Sequence, residues 1–553
     1  MDTKLIINIK GVGEVQVPHG ISLFELSQAY SHVCTRPILV AKVGNELNDL
    51  SRPVLYNSYV EFLDITDPNG FRAYQRSVSF MMVCAVKTIL GKKTRVVIAH
   101  SINKNYYCEL PDFDEPITHE LLQKIEGCML DMVLKDIPIE RQSIPRETAM
   151  KIAEDLGLYD KVSLLQYQHS HSVRFYKLND MYNYFYGEIA PRTGLLCQFK
   201  LVLRASGFLL QFPSIAHNYD MEDLAPENRL TEVLTENKNW VRIMKTETVG
   251  QLNDKLCLHG SEEIIRVAEA LHEKKVALLA DQIQRESKSI VLVAGPSSSG
   301  KTSFAHRLGV QLRANGAIPH IISLDNYYLD REDCPKDEFG NYDFETIRAL
   351  DTAQITADMR NLLDGKEVHI PSFNFITGKR EYKGNKLKFA PQDVLIMEGI
   401  HGLNELTSAG IANDHKFKIF ISALTQINID DHNRIPTSDT RLLRRIVRDF
   451  RTRGASAAAS ISMWPSVQRG EAKYIYPCQE YADAFYNSAL VYEMGVLKQY
   501  AEPLLFSITL SQPEYTEARR LIKFLASFLS IPSDTIPNNS LLREFVGGSC
   551  FYK

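Results

Sequence analysis

Short apolar runs broken by single polar residues mark the first 65 positions, as in Leu5-Ile6-Ile7-Asn8-Ile9, Glu14-Val15-Gln16-Val17 and Tyr59-Val60-Glu61-Phe62-Leu63. This near-alternation predicts a small strand-rich unit, interrupted by one helical stretch at about 23–31. Asp67-Pro68-Asn69-Gly70 carries strong turn chemistry and is expected to close that unit. From about 71 to 225 the pattern mixes periods. Helical runs are expected near 76–90 and at 118–133, with strand-like pieces at 95–99 and 197–203 and a polar connector at 216–228. Apolar positions at Ile264, Ile265, Val267, Ala268 and Leu271, then Ala277, Leu278 and Leu279, predict a long amphipathic helix over 261–285 that links two halves.

After residue 289 the pattern changes to strand, loop, helix and strand in quick succession. Ser289-Ile290-Val291-Leu292-Val293-Ala294 reads as a buried strand, 303–312 as a helix and Ile321-Ile322-Ser323-Leu324 as a second strand. Val394-Leu395-Ile396-Met397 and Phe417-Lys418-Ile419-Phe420-Ile421 are further strands. Strands that alternate with helices in this way predict a parallel sheet covered on both faces.

A chain of 553 residues exceeds one hydrophobic core, and 44% hydrophobic with 24% charged residues excludes a wholly disordered or fibrous protein. With 63 Lys+Arg against 67 Asp+Glu the net charge is -4, so no global field draws nucleic acid or anionic lipid and any anion site must be local. Nine cysteines without a C-x-x-C pair fit a reducing cytosol better than a disulfide framework. No window approaches the roughly 18 consecutive apolar residues of a membrane span, so neither export nor membrane insertion is expected.

Gly295-Pro296-Ser297-Ser298-Ser299-Gly300-Lys301-Thr302 fits G-x-x-x-x-G-K-[ST] and lies between a predicted strand and a predicted helix, where the mechanism requires it. The glycines let the loop wrap so that backbone N–H groups point inward. The following helix, opening at Ser303, offers its positive end, Lys301 reaches the outer phosphates, and Thr302 can ligate Mg²⁺. Asp325 ends the second strand. It could accept a hydroxyl proton, bind Mg²⁺ through water, or simply cap a turn. Glu398, ending the next apolar run, could hold Mg²⁺ or lie in a solvated turn. The segment 439–453 holds six arginines and two aspartates. Arg441, Arg445 and Arg448 share one helical stripe, which suits either a lid over transferring phosphate or a basic face for solvent or RNA.

These pieces together resemble the uridine kinase and phosphoribulokinase group of P-loop kinases over 289 to about 500. The matching blocks are the phosphate loop, Ser323-Leu324-Asp325-Asn326-Tyr327-Tyr328, Tyr342-Asp343-Phe344-Glu345, Ile370-Pro371-Ser372-Phe373-Asn374-Phe375, Met397-Glu398-Gly399-Ile400 and the arginine-rich stretch from Asp439. The resemblance implies that Asp325 takes the proton from a nucleoside 5′-hydroxyl, that Glu345 grips ribose hydroxyls, and that Arg445, Arg448 and Arg453 form a phosphate lid. It also puts Tyr328, Phe373 and Arg380 on the substrate side. The base-recognition positions depart from the family. Where uridine kinases carry a Tyr and a His, this chain has Phe373 and Gly378, and where they carry a Gln it has Met463 followed by Trp464. Losing those hydrogen-bonding groups relaxes selectivity or moves it to another base.

The front half is similar to threonyl-tRNA synthetases: a TGS-like β-grasp module over 1–66 and an editing-like α+β domain over 67–225. By alignment, Arg76, Phe80, Phe185 and Ile189 replace the four metal-type ligands of that editing domain, which implies that the fold persists without zinc or hydrolysis. His169 and His171 lack neighbouring ligands and read as solvated or core residues, and Met81, Met82, Tyr182, Tyr184 and Tyr186 as packing.

The expected organisation is therefore multidomain. A β-grasp unit, an editing-like α+β unit and a helical linker at 226–287 precede an α/β P-loop kinase at 288–500 and a C-terminal extension at 501–553. The expected enzyme is cytoplasmic, uses ATP and Mg²⁺, and phosphorylates a nucleoside. The alternatives are a kinase of another small alcohol and an RNA-binding regulator with a nucleotide switch. RNA binding lacks an extended basic run, and homo-oligomerisation is left open.

Overall fold

The computed structural model describes residues 4–552 apart from 103, 205, 215–217, 222–229, 337–339, 341 and 375. The alternating N-terminal segments form β1 (Lys4–Ile9), β2 (Gly13–Pro18), β3 (Val40–Val43), β4 (Glu46–Asp49) and β5 (Ser58–Leu63), with α1 (Leu23–Ala29) packed against them. Ser22 and Glu25 start α1 with a reciprocal capping box. The sheet order is β2-β1-β5-β3-β4, with a parallel β1–β5 pair among antiparallel ones, which is a β-grasp arrangement.

The segment 67–70 corrects the turn expectation. It opens α2 (Pro68–Leu90): Asp67 is the N-cap and accepts a hydrogen bond from the Asn69 amide, and Pro68 occupies the first helical turn. Turn chemistry and helix-start chemistry use the same residues, and only the following apolar run separates them. Gly70 is required by packing, since a Cβ there would lie 1.9 Å from the Asp64 carbonyl oxygen.

Sixteen of the 23 α2 residues are buried, and the helix is the core of an α+β unit. Around it lie β6 (Val97–Ile102), β7 (Asn105–Glu109), α3 (His119–Leu134), β8 (Glu140–Pro145), α4 (Arg146–Asp155), α5 (Tyr159–Leu165), β9 (Ser172–Leu178), β10 (Met181–Tyr184), β11 (Lys200–Arg204) and β12 (Gly207–Gln211). They make two antiparallel sheets, β10-β9-β8 and β11-β12-β7-β6. His169 and His171 precede β9 in an exposed loop, solvated rather than part of a core. Of the connector expected at 216–228, only 218–221 are among the described residues, and His217 is not. Tyr219 there donates to the Thr66 carbonyl at 3.0 Å.

Three helices follow, α6 (Leu230–Met244), α7 (Val249–His259) and α8 (Glu262–Arg285). Next come β13 (Ile290–Ala294), α9 (Lys301–Ala314), β14 (Ile318–Ser323) and α10 (Thr352–Leu363). Two short hairpins pair β15 (Val368–His369) with β18 (Lys386–Leu387) and β16 (Ser372–Asn374) with β17 (Lys379–Glu381). The chain continues through β19 (Asp393–Glu398), β20 (Lys416–Ser422), α11 (Thr437–Arg453), α12 (Ala457–Gly470), β21 (Ala484–Asn487), α13 (Glu493–Phe506), α14 (Tyr515–Leu525) and α15 (Arg543–Val546).

The strand order β14-β19-β13-β20-β21 is parallel throughout. Central β13 has all five residues buried, and they divide between two cores. Val291 and Val293 pack with α8, α9, α11 and α13, while Ile290, Leu292 and Ala294 face the side that holds α10. A strand covered on both faces must be apolar at every position, which is why it reads as a continuous run.

The α+β unit and the parallel sheet share the first of these cores, since Leu164, Phe175 and Tyr184 join it with α7 and α8. The loop after β20 enters the front half directly. Lys161 Nζ lies 2.7 Å from Asp430, both side chains fully buried. Arg95 pairs with Asp431 at 2.7 Å, and the Ile98 amide donates to the Asp431 carbonyl at 2.8 Å.

Candidate active site

Strand register brings the candidate residues together. Glu398, the last residue of β19, pairs in register with Val293 of β13 on one side and Ser323 of β14 on the other. The carboxyl ends of these three parallel strands therefore lead, side by side, into the loop at Gly295, into Asp325 and into Glu398. Such a line of strand ends is where open α/β sheets hold ligands.

Gly295–Gly300 needs its glycines for space. A Cβ on Gly295 would lie 2.1 Å from the Ile421 carbonyl oxygen, and Gly300 sits at φ +86° with the Leu541 side chain against it. Ser298 also adopts a positive φ of 58°. Lys301 Nζ donates to the Pro296 carbonyl at 3.1 Å, across the loop. Thr302 Oγ1 donates to Glu398 at 3.3 Å, putting the two oxygen donors suited to Mg²⁺ next to each other. The Ser298 and Ser299 hydroxyls are buried with no hydrogen-bond partner among the described residues. Unsatisfied buried hydroxyls on a glycine-flanked loop fit a group rich in acceptor oxygens, as a phosphate chain is.

Asp325 begins the turn after β14, its amide donating to the Ser323 hydroxyl at 3.3 Å. Burial raises its carboxyl above the ordinary range, and Lys301, Arg453 and Arg448 pull it back. Glu398 is pushed up to about 7, first by burial and then by repulsion from Asp325, with Lys301 opposing. A buried and a half-buried carboxylate that repel one another beside a lysine make a pair that a divalent cation would relieve.

Glu345 stands on the acceptor side. Burial and Glu471 push it up to about 7, and its Oε2 has no hydrogen-bond partner among the described residues. Gly470 makes room for it, since a Cβ there would approach the Glu345 Cβ to 2.5 Å. Tyr328 is buried, donates to the Phe344 carbonyl at 3.1 Å, and its ring lies 5.7 Å from that of Phe373. Arg380 on β17 is paired with Asp351 at 2.9 Å. Phe375 lies outside the described residues. Trp464 is buried beneath the Arg441 guanidinium, 5.3 Å from ring centroid to Cζ, whereas Met463 is 55% exposed.

The arginines of α11 divide in a way the stripe did not reveal. Arg445 donates to the Ser297 hydroxyl at 3.1 Å, and Arg448 and Arg453 lie within electrostatic reach of Asp325. Arg441, expected with them, is buried and ion-paired with Glu471, and it also donates to the Ser297 carbonyl at 3.2 Å. Arg444 is fully buried, paired with Glu493 at 2.6 Å and bonded to the Ser298 carbonyl at 3.4 Å. These two therefore brace the loop from behind and are not free to meet a transferring phosphate. Glu471 completes the brace by accepting from the Ser297 amide at 3.0 Å. No local pattern marks Glu471, because its partners lie far away in sequence.

In the front half, the four positions that would carry editing ligands have a different chemistry. Phe80 and Phe185 meet edge to face at 5.8 Å, and Ile189 is buried in the same core. Arg76 stacks over Tyr186 at 5.2 Å and donates to the Glu188 carbonyl at 3.1 Å. Gly187 allows this approach, since a Cβ there would lie 2.3 Å from the Arg76 guanidinium carbon.

The raised pKa of Glu345 predicts a pH-dependent cost. A carboxyl that ionises near 4.5 when unfolded and near 7 when folded favours folding at low pH, and that contribution is lost as pH rises through this window. Glu345→Gln should therefore stabilise the protein at pH 8 by about 1–3 kcal/mol. The gain should shrink steadily below pH 7, as read by denaturant midpoints across the pH range. An equal gain at every pH would contradict it.

Comparisons with known proteins agree with this geometry. The Phosphoribulokinase / Uridine kinase family model matches residues 290–491. A uridine kinase of Ligilactobacillus salivarius is 30% identical over 201 residues, covering 36% of this chain and 85% of that protein. The N-terminal region is similar to threonine-tRNA ligases, among them those of Syntrophotalea carbinolica, 26% identical over 173 residues, and Acetivibrio thermocellus, 29% identical over 203 residues. The matches cover 31% and 36% of this chain but only 27% and 32% of those ligases. A parallel sheet ending in a phosphate loop, with that relative matched over most of its length, leads to one assignment: the chain belongs to the phosphoribulokinase and uridine kinase family.

Proposed function

We propose that this P-loop kinase transfers the γ-phosphoryl group of ATP to the 5′-hydroxyl of a nucleoside. The observation that carries this reading is the half-buried Asp325, within electrostatic reach of Lys301, Arg448 and Arg453 and beside Glu398. The loop 295–303 would hold the phosphates, and Thr302 and Glu398 would hold Mg²⁺. When bound, the metal supplies charge neutralisation on the phosphate oxygens. Asp325, with its raised basicity, accepts the proton from the acceptor hydroxyl. Lys301 balances negative charge at the loop, and Arg445, Arg448 and Arg453 converge on it from α11 and exclude water as their side chains close over it. Glu345, with an unpartnered buried oxygen, is suited to accept from ribose hydroxyls, next to Tyr328, Phe373 and Arg380.

A second reading, a kinase of a different small alcohol, is favoured by the acceptor side. Phe373 and Gly378 offer no side-chain donor or acceptor to a pyrimidine, and Trp464 is committed to Arg441. A site without those groups discriminates bases poorly. The nine cysteines are all free thiols, in keeping with the reducing cytosol in which we place the enzyme. Among the described residues no helix is long and apolar enough to cross a membrane.

Purified protein with Mg²⁺ and ATP, offered nucleosides, ribulose phosphate and pantothenate, separates the two readings. We expect nucleosides to be phosphorylated, with modest preference among bases. Turnover of a non-nucleoside alone would replace the nucleoside reading by the second one.

A further inference from the structure

The C-terminal segment lies beyond the family match, which ends at residue 491, yet it reaches the phosphate loop. Leu541 packs against Gly300, where a Cβ would stand 2.5 Å from its side chain. Glu544 accepts from both the amide (3.3 Å) and the hydroxyl (2.8 Å) of Ser303 in the first turn of α9. Tyr552 shares the same hydroxyl at 2.7 Å, and Phe551 stacks on His306 of α9 with centroids 5.2 Å apart. The segment is tied from the other side by α11. Arg451 donates to the carbonyls of Glu544 (2.9 Å) and Phe545 (3.2 Å), and Arg444 lies over the Phe545 ring.

The amides that open the helix after a phosphate loop are the donors that meet nucleotide phosphate. A carboxylate bonded to the Ser303 amide has the charge and the acceptor-only chemistry of a phosphate oxygen pair. Two anions cannot share these donors, and Glu544 also adds negative charge close to Lys301 and Glu398.

We infer that Glu544, with the tail 547–552, is a built-in competitor of the nucleotide. Glu544 holds the Ser303 donors, and ATP binds only as that side chain and the tail swing away, while Leu541, Leu542 and Phe545 stay in the core. The inference rests on the reading of 295–303 as the nucleotide site and adds a regulation of that site.

ATP titration of the full chain, with and without Mg²⁺, tests the proposal. Glu544→Gln keeps the shape and removes the charge, and should bind ATP about tenfold more tightly than the unsubstituted chain. Tyr552→Phe, which removes one hydroxyl from Ser303, should give a smaller gain of about two- to threefold. Hydrogen exchange supplies an independent reading: ATP should protect amides of 295–303 and expose those of 548–551. If ATP protects the loop, with protection lost in Lys301→Ala, while both substitutions leave affinity unchanged or lower and the segment stays protected, the competitor proposal is wrong and the nucleotide site stands. If neither the unsubstituted chain nor Glu544→Gln binds ATP, both fail together.

Discussion

Asp325→Asn is expected to reduce phosphoryl transfer by a factor of about 10² to 10⁴ while leaving ATP affinity unchanged or improved. The two halves of this expectation have separate causes. Transfer falls because an amide cannot accept the acceptor's proton in the transition state. Affinity does not fall, because Asp325 is an anion close to Lys301 and Glu398, and neutralising it removes repulsion toward a polyphosphate. The same substitution relieves the burial of a charge, so folding stability should hold or rise, and a lost fold cannot explain a lost rate. Turnover assays with calorimetric ATP titration and thermal melting report all three quantities. Lys301→Ala provides the contrast and should weaken both binding and transfer. Normal turnover by Asp325→Asn would remove this carboxylate from the chemistry.

The second large effect concerns how the two halves are joined. Lys161→Met is expected to cost about 3–5 kcal/mol, because it leaves the Asp430 carboxylate buried without its cation. Asp430 also accepts from the amides of His432 and Asn433 at 2.9 Å each, so the loop that enters the front half is organised around it. Adding Asp430→Asn to Lys161→Met should recover much of the loss, since the remaining acceptor oxygen still serves that loop and no charge is stranded. Shared packing of Leu164, Phe175 and Tyr184 with the kinase core predicts that front and back unfold in one transition. A Lys161→Met protein with an unchanged midpoint, or two well-separated transitions, would show that the halves are independent.

The parts of this molecule that were legible in its sequence are those encoded locally. The apolar run before Gly295 and the periodicity after Thr302 placed the loop between β13 and α9, and Asp325 and Glu398 were found as strand-end carboxylates. The β-grasp alternation was also visible. Asp67-Pro68 was misread because an N-cap followed by proline and a turn have the same composition, and the deciding contact, Gly70 on the Asp64 carbonyl, involves tertiary packing. Arg441 was indistinguishable from the lid arginines of its stripe because helical periodicity gives a face but not the partner it meets. Its partner Glu471, and the Glu493 partner of Arg444, lie 30 and 49 residues away. Glu544 is 241 residues from the serine it contacts and carries no motif. Local pattern thus located the chemistry of the loop, and long-range pairing determines what braces and covers it.

The most direct test of the account is a crystal structure of the chain with a non-hydrolysable ATP analogue, Mg²⁺ and the best acceptor from the panel. The account predicts phosphates seated on residues 295–303 and the acceptor hydroxyl about 3 Å from the Asp325 carboxylate. A nucleotide bound elsewhere, or Asp325 turned away from that hydroxyl, would contradict it.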